Sequence, residues 1–386
     1  MKFLMTCLFA LFYLSLSFSF ITEAKTLQIM SYNVENLFDA KHDKDKKDWT
    51  FLPKDYPGKK EICLKEKNKH HRKECLESDW TEAKVDLKIS QIHDVVTSGR
   101  ELPEFLALVE VENPEVVARL AKKLGYENIE MSDSPDERGV DVALLYKGLK
   151  EIKKISRHEH IVPVDYPTRN ILEVEFLINE KYPLTLFVNH WPSLANPDSW
   201  RVKAAEVLSK RSQDILMKNP AMAIVAMGDF NTIDDNDPHP FKTVLYKDNL
   251  FEDVENLFIQ DKKIEDKTKS LKPAGTYYFA PKDQWNSLDH FFVNKVLSDG
   301  KDLDVTIKSF EIFSPPNITH ALKKKTHNDE GKNIKIVLAP KRFEPRGETK
   351  ESIGFSDHFP ILVKLDYPDF SQKVTSNALA PKKRKK

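Results

Sequence analysis

Seven apolar segments of this chain carry an acid, amide or histidine residue at one end, and this repeated pattern restricts the fold most. The clearest segment, Ala221–Ala226, lies between Pro220 and Gly228, which is typical of a buried strand. Asp229 and Asn231 follow two positions apart, so an extended backbone would place them on one face. One such residue is more often a turn residue. Seven of them predict strand ends that meet at a common edge.

The polar strand ends are distributed along nearly the whole chain. They are Asn33, Glu110, Asp141, His190, Asp229 with Asn231, Asp289, and Asp357 with His358. Open α/β folds bind ligands at the edge where strand-end loops converge. A carboxylate beside an amide oxygen suits a hard cation such as Mg²⁺. One site built from both ends of the chain also predicts a single domain, although a length of 386 residues favours two.

Three helical segments separate the predicted strands. Val85, Ile89, Ile92 and Val96 recur at helical spacing, Asn113-Pro114 and Gly125 bracket a second helix, and a third is predicted from Ser199 to Lys218. The predicted strands are Leu27–Asn33, Phe105–Val111, Val140–Tyr146, Ile171–Ile178, Pro183–Asn189, Ser287–Asn294, Val305–Phe313, Ile334–Leu338 and Phe359–Leu365. This mixture predicts an α/β fold in which two sheets pack together with helices outside.

The N-terminus resembles a signal peptide. Lys2 is followed by an uncharged run over residues 3–21 and then by Thr22-Glu23-Ala24, with small residues before the expected cleavage point. An uncleaved membrane anchor is the alternative, because the run is long enough to span a bilayer. The serines and threonines in the run and the small residue at its end favour cleavage. We therefore expect residues 1–24 to be removed, and the mature chain to be secreted or periplasmic without stable membrane association.

Residues 40–78 form a long charged insertion without a helical or strand period. Between Gly58 and Cys75 it has seven Lys or Arg residues against three Glu. A loop of this length inside a compact domain is usually functional or disordered. Once Cys7 is lost with the signal peptide, Cys63 and Cys75 remain. In an exported chain this spacing predicts a disulfide, which would stabilise the fold by about 3 kcal/mol, with two free thiols as the alternative.

Six motifs, taken in order, resemble the endonuclease/exonuclease/phosphatase family. They are Ser31-Tyr32-Asn33, Ala107-Leu108-Val109-Glu110-Val111, Asn189-His190-Trp191, Gly228-Asp229-Phe230-Asn231, Leu288-Asp289-His290 and Ser356-Asp357-His358-Phe359-Pro360. The resemblance implies a four-layer α/β sandwich over residues 25–370, with two packed mixed β-sheets flanked by helices. It also implies a phosphodiester hydrolase that depends on a divalent metal.

The same resemblance implies ligands for the metal and groups that orient the reactants. Asn33, Glu110 and Asp357 would hold Mg²⁺, with Mn²⁺ or Ca²⁺ as alternatives. Such an ion lowers the pKa of bound water and neutralises charge on the phosphate. Asp229 and Asn231 would orient the nucleophilic water and a phosphate oxygen.

Further catalytic roles follow from the resemblance. His358 would act as a base or charge stabiliser, with Asp289 accepting its other ring hydrogen and fixing the tautomer. Asp141 would orient His190 in the same way. Arg169 matches a phosphate-contacting arginine of the family, and a guanidinium fork suits that task.

Charge outside these motifs bears on the substrate. The chain has no formal net charge, but residues 371–386 form a basic tail with six Lys or Arg and no acid. We therefore expect a monomeric nuclease, an endonuclease acting on DNA or RNA, with nucleic acid as its partner. A sphingomyelinase-like phospholipid phosphodiesterase is the first alternative and would need exposed aromatic residues on a hairpin near the cleft. A non-catalytic nucleic-acid-binding protein on the same fold is the second.

Overall fold

The structure is a computed structural model that describes residues 23–261, 273–328 and 331–369. The predicted signal peptide lies outside these residues apart from Glu23 and Ala24, and the predicted basic tail lies wholly outside them. Within the described ranges, no helix has both the length and the apolar character needed to cross a bilayer.

The described strands differ greatly in length. They are β1 (Glu23–Leu37), β2 (Phe105–Val111), β3 (Asn128–Met131), β4 (Asp141–Tyr146), β5 (Ile152–His160), β6 (Ile171–Ile178), β7 (Tyr182–His190), β8 (Ala223–Asp229), β9 (Glu252–Asp253), β10 (Tyr277–Phe279), β11 (Gln284–Asn286), β12 (Asp289–Val293), β13 (Asp304–Val305), β14 (Glu311–Ile312), β15 (Thr319–Asn328), β16 (Gly331–Pro340) and β17 (Ile361–Asp369).

The described α-helices lie between the strands and in the insertion. They are α1 (Lys59–Lys65), α2 (Lys69–Glu77), α3 (Glu82–Val96), α4 (Pro114–Leu124), α5 (Asp198–Lys218), α6 (Val254–Gln260) and α7 (Lys350–Ile353).

Two large mixed sheets form the centre of the molecule. In the first, the strand order is β13-β17-β1-β2-β4-β3, and β14 also pairs with β17. In the second, the order is β5-β6-β7-β8-β12-β9. Each sheet has one parallel pair, β1 with β2 and β7 with β8, and the other pairs are antiparallel. The N-terminal strand pairs directly with β17, so both ends of the described chain belong to one sheet.

The alternation of side chains along β8 shows how the layers pack. Val225 and Met227 belong to the large core between the sheets, which also includes residues of α3 and α4. Ile224 and Ala226 point the other way, into a second apolar cluster with α5. Both clusters are fully buried, which explains why β8 is apolar on both faces. The architecture is therefore helices, sheet, sheet, helices, and the predicted α/β sandwich is confirmed.

Local sequence signals set the helix ends. The Asn113 side chain accepts a hydrogen bond from the Val116 backbone at the start of α4, and Gly125 ends that helix with a φ of 88°. Thr81 caps α3 in the same way as Asn113 caps α4. The three predicted helices correspond to α3, α4 and α5; α3 begins three residues before Val85, and α5 begins one residue before Ser199.

The charged insertion is more ordered than its sequence indicates. It contains α1 and α2, and a disulfide joins Cys63 to Cys75 across them with 5.6 Å between their Cα atoms. The predicted bridge is confirmed, but the expectation of an insertion without regular structure is wrong. Asn68 caps α2, and the buried Lys59 ammonium group donates to the backbone oxygens of Leu52 and Ser78. These polar contacts order the insertion although its sequence has no helical or strand period.

The strand predicted over Val305–Phe313 is also wrong as one element. The structure has the short strands β13 and β14 there, separated by a helical turn at Ile307–Ser309. Both pair with β17, so the apolar residues serve two separate edge contacts. The strand predicted at Ile334–Leu338 is half of the two-stranded hairpin of β15 and β16.

Candidate active site

The candidate active-site residues meet at one edge of the two sheets. In the second sheet His190, at the end of β7, is the register partner of Asp229 at the end of β8. Asp289, the first residue of β12, is the antiparallel partner of the same Asp229. In the first sheet Asn33 in β1 and Glu110 in β2 lie at the corresponding ends of a parallel pair. Strand register thus brings together residues that are far apart in the sequence.

Gly228 permits the close approach of β7 and β8 at this edge. Its φ is 127°, and an added Cβ would lie 2.0 Å from the backbone oxygen of Asn189. No other residue fits a backbone position of this kind without displacing the neighbouring strand. The glycine therefore belongs to strand packing rather than to a turn.

The end of β8 presents Asp229 and Asn231 differently. The Asp229 side chain lies on the same face of β8 as that of Met227, towards the space between the sheets. Phe230 lies on the other face and packs in the apolar cluster with α5. Asn231 has a φ of 46°, so the backbone turns there and does not continue the extended alternation. Its backbone N–H donates to Asp229 Oδ1 at 2.8 Å. Both residues line the cleft, as predicted, but the turn rather than strand alternation places Asn231.

Asn33 joins the two carboxylates at the floor of the cleft. Its Nδ2 donates to Asp229 Oδ2 at 3.0 Å and to Glu110 Oε1 at 3.3 Å. His190 Nε2 lies 3.8 Å from the Glu110 carboxylate and 3.9 Å from that of Asp229. Burial, together with the nearby carboxylate of Asp289, raises the pKa of Asp229 to about 7, although His358 opposes the shift. The group thus concentrates negative charge in a place with little access to water.

His358 and Asp289 form a second buried pair beside these carboxylates. His358 Nδ1 is 2.7 Å from Asp289 Oδ2, and its Nε2 is 3.9 Å from Asp229 Oδ2. Burial alone would lower the pKa of His358, but the Asp289 carboxylate and then Asp229 raise it well above its usual value. The predicted pairing of these residues is present. The Tyr277 ring packs against the imidazole with 5.1 Å between ring centroids.

His190 has a different environment from the one predicted. Asp141 Oδ1 accepts from the Ser132 hydroxyl at 2.6 Å and from the Ser134 backbone N–H at 2.9 Å. His190 Nδ1 is buried and has no hydrogen-bond partner in the described part of the chain. Burial, reinforced by the positive charge of Arg169, lowers the pKa of His190 well below its usual value. The prediction that Asp141 orients His190 is therefore not met; Asp141 instead holds the backbone after β3.

Arg169 lies inside the cleft wall. Its Nη2 donates to the backbone oxygen of Trp191 at 2.6 Å, and its Nη1 is 3.4 Å from Asp136 Oδ2. The side chain is almost fully buried, although the residue lines the cleft. Asn231 Nδ2 donates to the same Trp191 oxygen at 3.2 Å. The predicted phosphate contact by Arg169 stays a prediction, and its observed contacts fix the backbone next to His190.

Asp357 is partly exposed at the edge of the carboxylate group. Its Oδ2 is 3.7 Å from Arg342 Nη2, and its Oδ1 is 3.9 Å from His358 Nε2. Arg342 also pairs with the buried Glu35, whose other oxygen accepts from the Phe343 backbone. Asp357 thus lines the cleft but does not join the closest set of ligand atoms, described next.

A divalent cation fits the residues at the cleft floor. Ligand atoms of Glu110, His190 and Asp229 all lie within 4.8 Å of one another. The carboxylates of Glu110 and Asp229 converge on the Asn33 amide and suit a cation that needs oxygen ligands. The His190 imidazole nitrogen adds a ligand that Mn²⁺ accepts. Asn33 Oδ1 accepts from the Glu35 backbone at 3.0 Å, so in this conformation Asn33 supports the carboxylates through its amide hydrogens. Metal ligation by Asn33 and Asp357 stays a prediction, and the structure adds Asp229 and His190 as candidate ligands beside Glu110.

These groups form the floor of an open cleft of about 990 Å³. Its walls include cationic and aromatic side chains that lie outside the six motifs. They are Lys47, Arg138, Tyr166, Trp200, Tyr277, Phe279 and Lys282. Lys47, Arg138 and Tyr166 lie on loops, where no period marks them, whereas Trp200 lies in α5 and Tyr277 and Phe279 lie in β10.

Helix α3 holds the segment that carries His358. Lys88 is fully buried and donates to the Phe355 oxygen at 2.8 Å, while Gln91 donates to the Gly354 oxygen at 2.7 Å. Burial lowers the pKa of Lys88 to about 8, although the nearby Glu35 opposes the shift. Sequence analysis missed these residues. The available signal was polar side chains on an otherwise apolar helix face.

Comparison with known proteins agrees with this geometry. The sequence profile described as the endonuclease/exonuclease/phosphatase family matches residues 28–367. No curated protein sequence matches the chain. A protein of that family from Bacteroides thetaiotaomicron superposes with a TM-score of 0.51 at 13% identity, covering 90% of this chain and 97% of the other.

Two further solved structures show the same fold. Truncated TDP2 from Caenorhabditis elegans has a TM-score of 0.51 at 14% identity, covering 88% of this chain and 97% of the other. TDP2 from D. rerio, solved with a single-strand DNA product, has a TM-score of 0.51 at 15% identity, covering 88% and 98%. The profile covers most of the chain, and the two large mixed sheets flanked by helices agree with it. The chain belongs to the endonuclease/exonuclease/phosphatase family.

Proposed function

We propose that the chain is a divalent-metal-dependent phosphodiester hydrolase that cleaves DNA or RNA as an endonuclease. The observation that carries this proposal is the adjacency of two buried groups on the floor of one open cleft. Asn33 links Glu110 to Asp229, and the His358–Asp289 pair lies beside them. A protein that only binds nucleic acid has no need of both groups.

The two groups can divide the work of hydrolysis. Asp229 lines the cleft beside His358 and is suited to orient a water that attacks phosphorus and to accept its proton. His358 donates its Nδ1 hydrogen to Asp289, which leaves Nε2 directed towards the cleft. As an imidazolium it stabilises charge on the phosphate and can give its proton to the leaving oxygen when the phosphorus–oxygen bond breaks.

Metal ligation is proposed for Glu110 and Asp229, with His190 beside them and Asn33 bonded to both carboxylates. When bound, a divalent cation supplies positive charge that neutralises the phosphate. The neutral state of His190, which follows from its lowered pKa, leaves a nitrogen lone pair for this purpose. Mg²⁺ suits the oxygen ligands best, and Mn²⁺ accepts the mixed set.

The walls of the cleft favour nucleic acid over a smaller ester. Lys47, Arg138 and Lys282 line it and can contact a phosphate backbone. Tyr166 and Trp200 line the same cleft and offer rings on which unpaired bases can stack. An open groove with both properties suits a chain longer than the reacting phosphodiester.

A phospholipid phosphodiesterase is the second candidate because of the hairpin formed by β15 and β16. Ile336 and Leu338 lie two positions apart on it with exposures of 61% and 57%. Exposed apolar side chains of this kind can contact a lipid surface. The described side chains of the hairpin include no exposed aromatic residue, which is the feature that the lipid hypothesis required.

Export is part of the proposal. The leader-like residues 1–24 and the Cys63–Cys75 disulfide both favour an oxidising compartment outside the cytosol. N-terminal sequencing of protein from the exported fraction should begin at Lys25. A mature protein that begins at Met1 would contradict export with cleavage.

The test of activity is a substrate panel with the purified chain. Plasmid DNA, single-stranded DNA, RNA, sphingomyelin and a phosphomonoester are each incubated with Mg²⁺ and with a chelator. We expect nucleic acid to be cleaved only with metal, and Asp229→Ala or His358→Ala to lower kcat by about 10³-fold or more. Asp86→Ala, which removes an exposed carboxylate of α3, is the matched control and should leave kcat unchanged.

Three outcomes oppose the proposal. Full activity in the chelator or in both site variants would contradict the assigned chemistry. Hydrolysis of sphingomyelin alone would favour the lipid candidate. Tight binding of nucleic acid without cleavage in any metal would favour a binding protein.

A further inference from the structure

Arg138 lies on a fixed loop in the cleft wall. The loop connects β3 to β4, and its Arg138 backbone N–H donates to Asp136 Oδ1 at 2.9 Å. Behind it, Asp141 accepts from Ser132 and Ser134, as described above. On the insertion side, the Lys46 ammonium group donates to the backbone oxygen of Asp136 at 2.9 Å. The contact by Asp141 that differed from prediction therefore helps to hold Arg138 in place.

Arg138 and Arg169 share one carboxylate. Arg138 Nε and Nη2 lie 3.4 Å from the Asp136 oxygens, and Arg169 Nη1 lies 3.4 Å from the same group. One buried carboxylate cannot neutralise two guanidinium groups, so a positive charge remains at the wall.

The two arginines differ in what they can offer to a ligand. Arg169 is almost fully buried, and its donors are directed to Trp191 and Asp136. The Arg138 side chain is 53% exposed, lines the cleft, and has no hydrogen-bond partner for Nη1 in the described ranges. The guanidinium that is free to meet an anion in solution is therefore that of Arg138.

A chain of contacts leads from the reacting centre to this residue. Asn231 and Arg169 both donate to the backbone oxygen of Trp191. Arg169 and Arg138 both contact the Asp136 carboxylate. Arg138 thus lies further along the wall than Asn231, with Arg169 between them. A strand that is bound at the centre and follows this wall would bring its next phosphate to Arg138.

We propose that Arg138 binds the phosphate next to the scissile one, and so selects substrates with an adjacent charged phosphate over isolated phosphodiesters. The inference rests on the proposed nuclease function. It adds the residue through which the enzyme would prefer a nucleic-acid strand to an isolated phosphodiester. A guanidinium fork can donate two parallel hydrogen bonds to phosphate oxygens, which a lysine cannot do.

Three small substrates with the same scissile bond test the proposal. Thymidylyl-thymidine has one phosphodiester, and two derivatives carry an additional phosphate on the 5′ or the 3′ end. For one of the two derivatives, Arg138→Gln should lower kcat/KM by about 10-fold to 100-fold, the range for a charge-assisted hydrogen bond. Its kcat/KM for the unphosphorylated dinucleotide should stay within about threefold, and Arg138→Lys should be intermediate.

Arg346→Gln is the matched control, because Arg346 is also exposed, at 67%, and also pairs with nearby carboxylates, those of Glu344 and Glu77. It lies outside the cleft and should change none of the three values. Equal loss on all three substrates would assign Arg138 to the scissile phosphate and overturn the proposal. No loss on any of them would overturn it as well.

A binding measurement separates this proposal from the nuclease function itself. Thymidine 3′,5′-bisphosphate is titrated by calorimetry into His358→Ala, with and without Arg138→Gln. Loss of affinity by about tenfold or more supports the Arg138 contact even if the wild-type chain cleaves no nucleotide. Unchanged affinity overturns the Arg138 contact even if the chain proves to be a nuclease.

Discussion

Replacement of Glu173 by glutamine should weaken the fold in a way that depends on pH. Glu173 lies in β6 with its side chain 1% exposed, on the face that meets α5. Arg211 donates two hydrogen bonds to its carboxylate, at 2.6 and 2.7 Å, and His160 Nε2 lies 2.6 Å away. Burial alone would raise the pKa of Glu173, but these partners outweigh burial and lower it to about 2.

The magnitude follows from the difference between the folded and unfolded states. A carboxyl pKa that falls from 4.5 to about 2 on folding corresponds to about 3 kcal/mol of stability. Because the folded pKa is the lower one, this contribution is complete above pH 4.5 and is lost as the pH falls towards 2. About 1.4 kcal/mol should remain at pH 3. Glu173→Gln should therefore lower the free energy of unfolding most at neutral pH.

Urea unfolding followed by tryptophan fluorescence between pH 3 and 7 measures this difference. The control is Glu311→Gln, which removes a half-exposed carboxylate paired with Arg100 and should cost less than about 1 kcal/mol at every pH. A loss of less than about 1 kcal/mol for Glu173→Gln at pH 7 would refute the reasoning. So would a loss that is the same at pH 3 and pH 7.

Three further changes test other parts of the structure. Gly228→Ala should abolish folding or sharply lower the melting temperature, because the alanine Cβ would overlap the backbone oxygen of Asn189. An unchanged melting temperature would show that β7 and β8 can separate to make room for it. Replacing Cys63 and Cys75 together by serine should cost about 3 kcal/mol in chemical unfolding, and no cost would mean that the bridge does not constrain the unfolded chain. Lys88→Met should lower kcat by about tenfold with little change in KM, because it removes the hydrogen bond to the Phe355 oxygen, which precedes the S-D-H motif. A change in KM alone would contradict the positioning role of Lys88.

The central features of the fold were predictable because they follow from simple periodicities. An apolar strand that ends in Asp229 has to end at the edge of a buried sheet, since its alternate side chains enter two different cores. Two parallel pairs then bring their carboxyl ends to that edge. The sequence therefore predicted that Asn33, Glu110, His190, Asp229 and His358 meet at one edge and that His358 pairs with Asp289. It did not predict the short strands β13 and β14, because edge pairing with β17 depends on a partner distant in the sequence.

The partners of buried polar groups were less predictable than their positions. Asp141 was assigned to His190 because both follow strands, yet its carboxylate binds the Ser132 hydroxyl on the adjacent loop. Arg169 was assigned to substrate, which stays a prediction, and the sequence did not indicate its contact with the Trp191 backbone. In each case the observed partner is a loop atom, and loop geometry has no period that a sequence pattern can reveal.

Helix α3 shows how a missed signal could have been used. Its apolar period was read as a face that packs on the core, and Val85, Ile89 and Ile92 do so. Lys88 and Gln91 adjoin them in sequence and are equally buried, where an unpaired charge or amide would be costly. Such residues must have partners, and in a helix that packs beside β1 the available acceptors are carbonyls of a neighbouring loop. Here that loop leads into the motif containing His358, so a buried lysine in an otherwise ordinary amphipathic helix indicates which segment the helix holds in place.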